Sequence, residues 1–439
     1  MLHVSIHRFY VALIAAMIFT CAAPDKNVTE TGYLYGFSLV LMEATRESQM
    51  LPSNRIVNTR SFPDPSDTNI VRPNRDTLYS IAWLDLTAGP VILSLPDTSG
   101  PDGRYYMITL LDAFTNVVAS PGWRTTGKIA QTITIAGPAF HAQVGGDDIK
   151  CPTNLVWLLG RTNVENTDDI RTSIKQMNKY TLETISNEPS HYKTSPHADQ
   201  MSLDMTSLLT PPQQVLSMSA NDFFKEVSKM LVANPPATAD APLMAELKEY
   251  GFAPGEFEWD NLTSVQQDNI TSGQRQAKRV LFSQPARPTI NGWTVPDPNM
   301  GQYGIDYEFR ARTAMFGLGA NLNADAIYLS PTLLRASTSY SLTFKNGSFP
   351  PCKAFWSLTM YDVQGYLVEN SISRYNVGSQ TDGLVTKSDG SVEIVMQEDE
   401  PSNKDVNWLP TPQGSASAPT LRCYWPSNLT WIPPALVVN

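Results

Sequence analysis

Tyr340-Ser341-Leu342-Thr343-Phe344 and, a short connection later, Trp356-Ser357-Leu358-Thr359-Met360-Tyr361 alternate large side chains with hydroxyl-bearing ones. An extended chain points successive side chains to opposite sides, so a period of two marks a β-strand with one buried face. Val392, Ile394 and Met396 repeat the pattern, and Leu421, Cys423 and Trp425 share one parity. The first third of the chain carries the same signature over Thr77 to Leu86, Val91 to Leu95, Tyr105 to Leu111, Ile129 to Ile135 and Leu155 to Leu159. Turn formers separate these runs: Ala88-Gly89-Pro90, Pro96-Asp97 through Gly103, and Gly137-Pro138. Short strands so punctuated predict an antiparallel sandwich or barrel.

Between the two β regions the period changes. Asn221 can cap a helix with Phe224, Val227, Met230 and Leu231 at helical spacing, ended by Pro235-Pro236. Further helices fit Pro242 to Tyr250, closed by Gly251, then Val265 to Phe282, and Tyr307 to Phe316, stopped by Gly317-Leu318-Gly319. The expected fold is therefore mainly β with a helical segment: two antiparallel β-sandwich, jelly-roll-like domains joined by helices. The divisions are a leader over 1–23, an N-terminal β domain with an N-terminal extension over 24–205, a helical linker over 206–325 and a C-terminal β domain over 326–439. The composition agrees. In 439 residues, 33 prolines and 25 glycines disfavour a helix bundle, and 42% hydrophobic residues can fill large cores.

The first residues, His3, His7 and Arg8, precede an apolar run from Phe9 to Phe19 and then Thr20-Cys21-Ala22-Ala23-Pro24. That order is a secretory signal with cleavage near Ala23, and the run is shorter than the roughly 20 residues that span a bilayer. An uncleaved anchor and a lipidated Cys21 are the alternatives. The expected location is extracytoplasmic, with no membrane span once the leader is gone. Sequons at Asn27, Asn261, Asn269, Asn346 and Asn428 are then glycosylation candidates, although this composition gives about as many by chance. The net charge of −10 argues against nucleic-acid or anionic-membrane partners.

With Cys21 gone, Cys151, Cys352 and Cys423 remain. Cys352 has the parity of Trp356 and Leu358, and Cys423 that of Leu421, so both point into a core if these segments are strands. A Cys352–Cys423 disulfide follows as an expectation, with two unpaired buried thiols as the alternative.

Asn74-Arg75-Asp76-Thr77-Leu78-Tyr79, Ala82-Trp83-Leu84-Asp85-Leu86, Gly103-Arg104-Tyr105-Tyr106 and Ser120-Pro121-Gly122-Trp123-Arg124-Thr125-Thr126-Gly127 resemble the family catalogued as domain of unknown function 1254. Ala354 through Asp362, Asn370 through Tyr375, Asn407-Trp408-Leu409-Pro410 and Leu421 through Pro426 are similar to its usual partner, domain of unknown function 1214, and Gly317-Leu318-Gly319-Ala320-Asn321 matches between them. The resemblance implies two β-sandwich domains joined by helices, often in exported proteins, and carries no settled activity. Such proteins more often have a small or neutral residue in place of Arg75. They usually lack the two cysteines, which supports their pairing with each other.

For chemistry, the residues exclude more than they assign. Beyond the leader the histidines are His141, His191 and His197, too few and too scattered for a zinc or iron centre. Asp97, Asp102, Asp147 and Asp148 do not follow calcium-loop spacing. There is no Gly-x-Ser-x-Gly elbow, P-loop or dinucleotide fingerprint, so neither metal nor cofactor is expected. What remains is a set of carboxylates, arginines and aromatics: Asp76, Asp112 and Asp362 as acid/base candidates, and Arg75, Tyr79, Arg124, Tyr361, Arg374, Tyr375 and Trp408 as ligand contacts. Arg72, Asp85, Asn370 and Asn407 belong to the same set. Paired carboxylates, stacking rings and guanidinium clamps suit a saccharide or a small carboxylate. The same residues equally suit turns and buried Arg-Asp ties.

Trp83, Trp356 and Trp425 read as core. Ser357, Thr359, Tyr361, Arg422 and Tyr424 would share a polar face if their strands adjoin. Two functions stay open: a binding or surface protein for a small polar ligand, such as a carbohydrate, or for self-assembly into a homo-oligomer; and a hydrolase or lyase using the Asp residues.

Overall fold

The structure, a computed structural model, describes residues 27–67, 71–140, 148–185, 209–283 and 287–439. The expected leader, His141, His191, His197 and Asp147 lie outside them. The described residues are mainly β, with seven α-helices and several sheets, none closed into a barrel.

In the first β region, β1 (Val57–Asn58), β2 (Thr77–Asp85), β3 (Val91–Leu95), β4 (Tyr106–Asp112), β5 (Val117–Ala119), β6 (Gln131–Ala136), β7 (Ile149–Lys150), β8 (Leu155–Asn163) and β9 (Thr181–Thr184) form two sheets, ordered β1-β2-β8-β4-β5 and β7-β6-β3-β9. Leu84, Ile108 and Leu158 of one sheet share a hydrophobic cluster with Leu93 and Ile133 of the other. The opposite side of the β2-β8 sheet holds Trp83 stacked on Trp157, with ring centroids 5.1 Å apart, and packs on the helices.

The helices are α1 (Val28–Gln49), α2 (Ile170–Met177), α3 (Pro211–Ser217), α4 (Ala220–Ala233), α5 (Ala241–Lys248), α6 (Ser264–Phe282) and α7 (Tyr307–Gly317). Sequence patterning missed the first three. α1 is the centre of the helical layer, with α3, α4, α5, α6 and α7 around it. Tyr33, Leu34, Tyr35, Phe37, Leu39 and Leu41 are all buried, so no polar stripe marks a helical period. Its neighbours approach closely because glycine faces them. A Cβ on Gly36 would sit 2.5 Å from a Val227 methyl of α4, and one on Gly273 of α6 would sit 2.1 Å from Thr29 Oγ1. The cap of α4 is Ser219, whose side chain accepts from the Asp222 amide, two residues earlier than the expected Asn221.

After a two-stranded hairpin of β10 (Thr289–Ile290) and β11 (Trp293–Thr294), the second β region comprises β12 (Ala326–Leu329), β13 (Tyr340–Phe344), β14 (Trp356–Thr359), β15 (Asn376–Gly378), β16 (Val392–Gln397), β17 (Asn407–Pro410), β18 (Thr420–Tyr424) and β19 (Val437–Val438). Its sheets run β12-β18-β14-β15 and β17-β16-β13-β19 around the cluster of Ile327, Leu342, Leu358, Ile394 and Leu421. Pairing is not purely antiparallel, since β6-β7 and β16-β17 are parallel. The 398–406 connection returns the chain to the start of β16 before pairing it, so no tight hairpin sets the direction.

Cys352 and Cys423 form a disulfide with Cα atoms 5.7 Å apart. The expected pair forms, with Cys423 fully buried opposite Trp356 on β18, while Cys352 lies before β14 and is only partly buried. Cys151 is a buried free thiol, its pKa pushed up to about 12 by burial. Trp83 and Trp356 are buried as expected; Trp425, just past the end of β18 with φ at 51°, is only partly so and stacks on Tyr105.

Candidate functional site

β14 and β18 adjoin, so Ser357 lies opposite Arg422 and Thr359 opposite Thr420. The polar face that results is not exposed: Ser357, Thr359, Tyr361, Arg422 and Tyr424 are all at most 3% accessible. The first β region covers it. A strap over 71–76, entering β2, lies across this face and gives up its own polar groups to it. Tyr361 Oη donates to the Pro73 carbonyl at 2.6 Å and Arg422 to the Arg72 carbonyl at 2.9 Å. Arg72 in turn donates to Ser330 Oγ and Thr420 Oγ1.

Asp76 is the strap's carboxylate, 6% accessible, and it accepts from Ser357 Oγ at 2.7 Å and Asn376 Nδ2 at 3.0 Å. Burial pushes its pKa up, while the Arg422 charge and the two hydrogen bonds pull it partly back. Arg75 donates to the Pro63 carbonyl and stacks 4.6 Å above the Tyr375 ring.

Beside the strap, both regions contribute the same device. Tyr79 pairs with Arg161 across β2 and β8, and Tyr328 pairs with Arg422 across β12 and β18. The guanidinium carbons lie 5.5 Å and 5.8 Å over the respective phenol rings. Asn321 links the two pairs. Its Oδ1 accepts from Arg161 at 2.7 Å and its Nδ2 donates to the Tyr328 hydroxyl. Tyr424 sits between them, 1% accessible, with Tyr328, Asp76, Arg422 and Tyr79 as its electrostatic neighbours. Burial raises the pKa of its hydroxyl well above the ordinary phenol range. Tyr79 and Tyr328 are only half-buried, which puts them at the rim.

The remaining predicted residues are elsewhere. Arg124 closes another part of the seam through a two-pronged ion pair to Asp325, at 2.6 and 3.0 Å. Asp112 accepts from the amides of Phe114 and Asn116 in the β4-β5 turn, and burial raises its pKa. Asp362 accepts from the amides of Gln364 and Tyr366. Arg374 donates to the Trp408 carbonyl, and with Asn370 and Tyr375 lines a dent of about 10 Å³, room for about one water. Among the described residues, Asp76, Asp112 and Asp362 share no hydrogen-bond partner. Asp85 accepts from the amide of Thr87, at the turn after β2. Asn407 bridges Val385 to Glu393. No group of three His, Cys, Asp or Glu residues able to hold a metal occurs among the described residues.

Sequence reasoning did not single out Arg161, Tyr328 or Asn321 as site residues. The available signal was Arg161 itself, a charge closing the apolar run of β8.

Residues 53–184 match the model described as protein of unknown function DUF1254, and residues 330–428 the one described as protein of unknown function DUF1214. The chain belongs to the two-domain DUF1254/DUF1214 family. The polar strap and β2 lie in the DUF1254 match, the face they cover in the DUF1214 match. No curated protein matches. Among solved structures, the VPA0106 protein from Vibrio parahaemolyticus is similar with a TM-score of 0.67 and 22% identity, over 94% of this chain and 99% of that one. That likeness is one of fold. An uncharacterized protein from Burkholderia cenocepacia also aligns, at 12% identity and a TM-score of 0.47, over 95% of this chain and 91% of that one.

Proposed function

We propose that this DUF1254/DUF1214 protein is an exported binding protein whose two β regions, each packed as a sandwich, hold a small polar ligand at the seam between them. The observation that carries the reading is the convergence of two cross-strand Tyr-Arg pairs, one from each region, linked through Asn321 beside the buried Tyr424. Binding sites commonly lie between domains and use a few fixed polar groups in mostly apolar walls. A hydrolase would need two carboxylates sharing one cleft, and the separate surroundings of Asp76, Asp112 and Asp362 give that reading no support.

Export rests on the leader pattern. In a glycosylating host, Asn261, Asn346 and Asn428 are the sequons with exposed side chains, whereas Asn27 caps α1 and Asn269 is half-buried on α6. No helix among the described residues is long and apolar enough to cross a membrane.

A thermal-shift screen of neutral sugars, uronates and small carboxylates tests the reading, with Tyr424→Phe alongside. A ligand that binds only the native state raises the melting temperature by mass action. The expected result is a compound that stabilises the wild type and does so less in Tyr424→Phe. Stabilisation equal in both proteins places the ligand elsewhere and ends the proposal.

A further inference from the structure

Two tryptophans reach the surface at the seam, one from each β region. Trp123 follows β5 and Trp425 follows β18; both are partly exposed and join Tyr328 in one aromatic cluster. Tyr105 touches both, meeting the Trp123 ring edge-on at 5.9 Å and stacking on Trp425 at 6.3 Å with 23° between the planes. Trp425 has the parity of Leu421 and Cys423, yet it leaves their core and joins the Tyr105 cluster, because a left-handed φ of 51° ends the strand there. A bulky side chain rarely adopts that conformation, and here the backbone is held from both sides. The Trp425 amide donates to the Asp325 carbonyl at 2.7 Å, and its carbonyl accepts from the Lys353 amide at 2.9 Å. A cation stands over each indole: Lys128 Nζ lies 3.7 Å from the Trp123 ring centroid and Lys353 Nζ 5.3 Å from that of Trp425. Both lysines are exposed, and neither ammonium has a carboxylate partner among the described residues. The acids of the adjoining segments are committed, Asp325 to Arg124 and Asp97 to the amide and hydroxyl of Ser99. On a chain of net charge −10, the two indoles therefore carry unspent positive charge.

We propose that Trp123 and Trp425 form a platform for an acidic saccharide, with sugar rings stacked on the indoles and uronate carboxylates paired with Lys128 and Lys353. An indole face is apolar and electron-rich, which suits the C–H face of a pyranose ring, and an ammonium beside it suits a carboxylate. The flexible four-carbon lysine stem lets each ammonium swing from the ring face to its edge as the sugar takes its place. Stacking on an open platform needs no enclosed cavity. The inference rests on the reading that the seam between the β regions binds a ligand, and it names that ligand's class.

Trigalacturonate is the probe, and maltotriose its neutral counterpart of equal length. Titration followed by indole fluorescence and calorimetry should show saturable binding of trigalacturonate, weakened by added salt because the lysines are exposed. Trp425→Ala should raise the dissociation constant about tenfold, and the double variant Lys128→Met with Lys353→Met by a similar factor. Maltotriose should bind about tenfold more weakly than trigalacturonate. The lysine variant keeps the test open if Trp425→Ala fails to fold, since neither ammonium makes a contact the fold depends on. No saturable binding of trigalacturonate overturns the inference, as does binding unchanged in both variants. If maltotriose binds as well as trigalacturonate and Tyr424→Phe weakens it, the acidic saccharide is wrong and the seam remains a binding site. If trigalacturonate binding falls in the tryptophan and lysine variants but not in Tyr424→Phe, the platform stands and the site at Tyr424 falls.

Discussion

The layer around α1 and the seam between the β regions are both buried, yet the first is mostly apolar and the second largely polar. Around α1 the contacts are mostly apolar, with the buried Arg310 donating to the Tyr35 carbonyl as an exception: Tyr33 lies 4.1 Å from Phe223 by ring centroid, Phe224 packs on Phe252, and glycines let the helices close up. At the seam the contacts are charges, phenols and carbonyls, with an aromatic patch of Tyr105, Phe355 and Tyr424 beside them. Burial of apolar surface is non-directional and stabilises in proportion to area. A buried polar contact contributes little net energy but penalises every wrong geometry, because a misplaced partner leaves a desolvated group unpaired. The helical layer therefore supplies stability, and the seam fixes how the two β regions meet.

Substitutions can break that contrast. The largest effect is expected at Phe223, fully buried against Tyr33 and Phe224. Phe223→Ala should cost about 4 kcal/mol in urea denaturation, the usual loss for a large ring in a packed core. A loss under about 1 kcal/mol would mean that the layer repacks freely and is not the source of stability. Next comes Arg124→Met, which strands the Asp325 carboxylate at 1% side-chain accessibility. Removing one partner of a buried pair costs up to about 3–5 kcal/mol, discounted here to about 2–3 because Arg124 is a quarter exposed. The double replacement Arg124→Met with Asp325→Leu sharpens the point. It should recover most of the loss if the pair serves geometry, and none if the pair itself is strongly stabilising.

The same contrast explains what could be read in the sequence. β3 runs from Val91 to Leu95 as expected, and the alternation in 340–344 and 392–396 marked β13 and β16, because a half-buried strand writes its environment into a period of two. α1 escaped because burial on every side erases the period that reveals a helix. α2 is only eight residues long and α3 seven, too short for a repeating pattern to stand out. At the seam, Arg75, Asp76, Tyr361 and Tyr375 were legible as chemistry, but they meet partners roughly 300 residues away, as with Asp76 and Asn376. A single sequence gives side-chain type and local period; it does not say that a strap near residue 75 will cover a strand near residue 357.

Asp76 gives the smallest expected effect and the most direct reading of the seam. Because burial raises its folded pKa above the unfolded value, the native state binds more protons in the interval between the two. Its contribution is most favourable at low pH, where the carboxyl is protonated in both states, and declines as pH rises through the unfolded and then the folded pKa. Asp76→Asn removes that dependence and keeps the shape, since an amide can accept from Asn376 through its oxygen and donate to Ser357 Oγ through its nitrogen. The difference in unfolding free energy, variant minus wild type, should therefore increase from acid pH upward and level off above the folded pKa. Asp112, buried with the same direction of shift, titrates in both proteins and cancels from the difference. Urea denaturation of both proteins across the acid range measures it. A flat difference would show that Arg422 and the two hydrogen bonds fully offset the desolvation of Asp76, and a falling one that they exceed it. The falling outcome would make the seam a source of stability in its own right, and the division of labour with the helical layer would go.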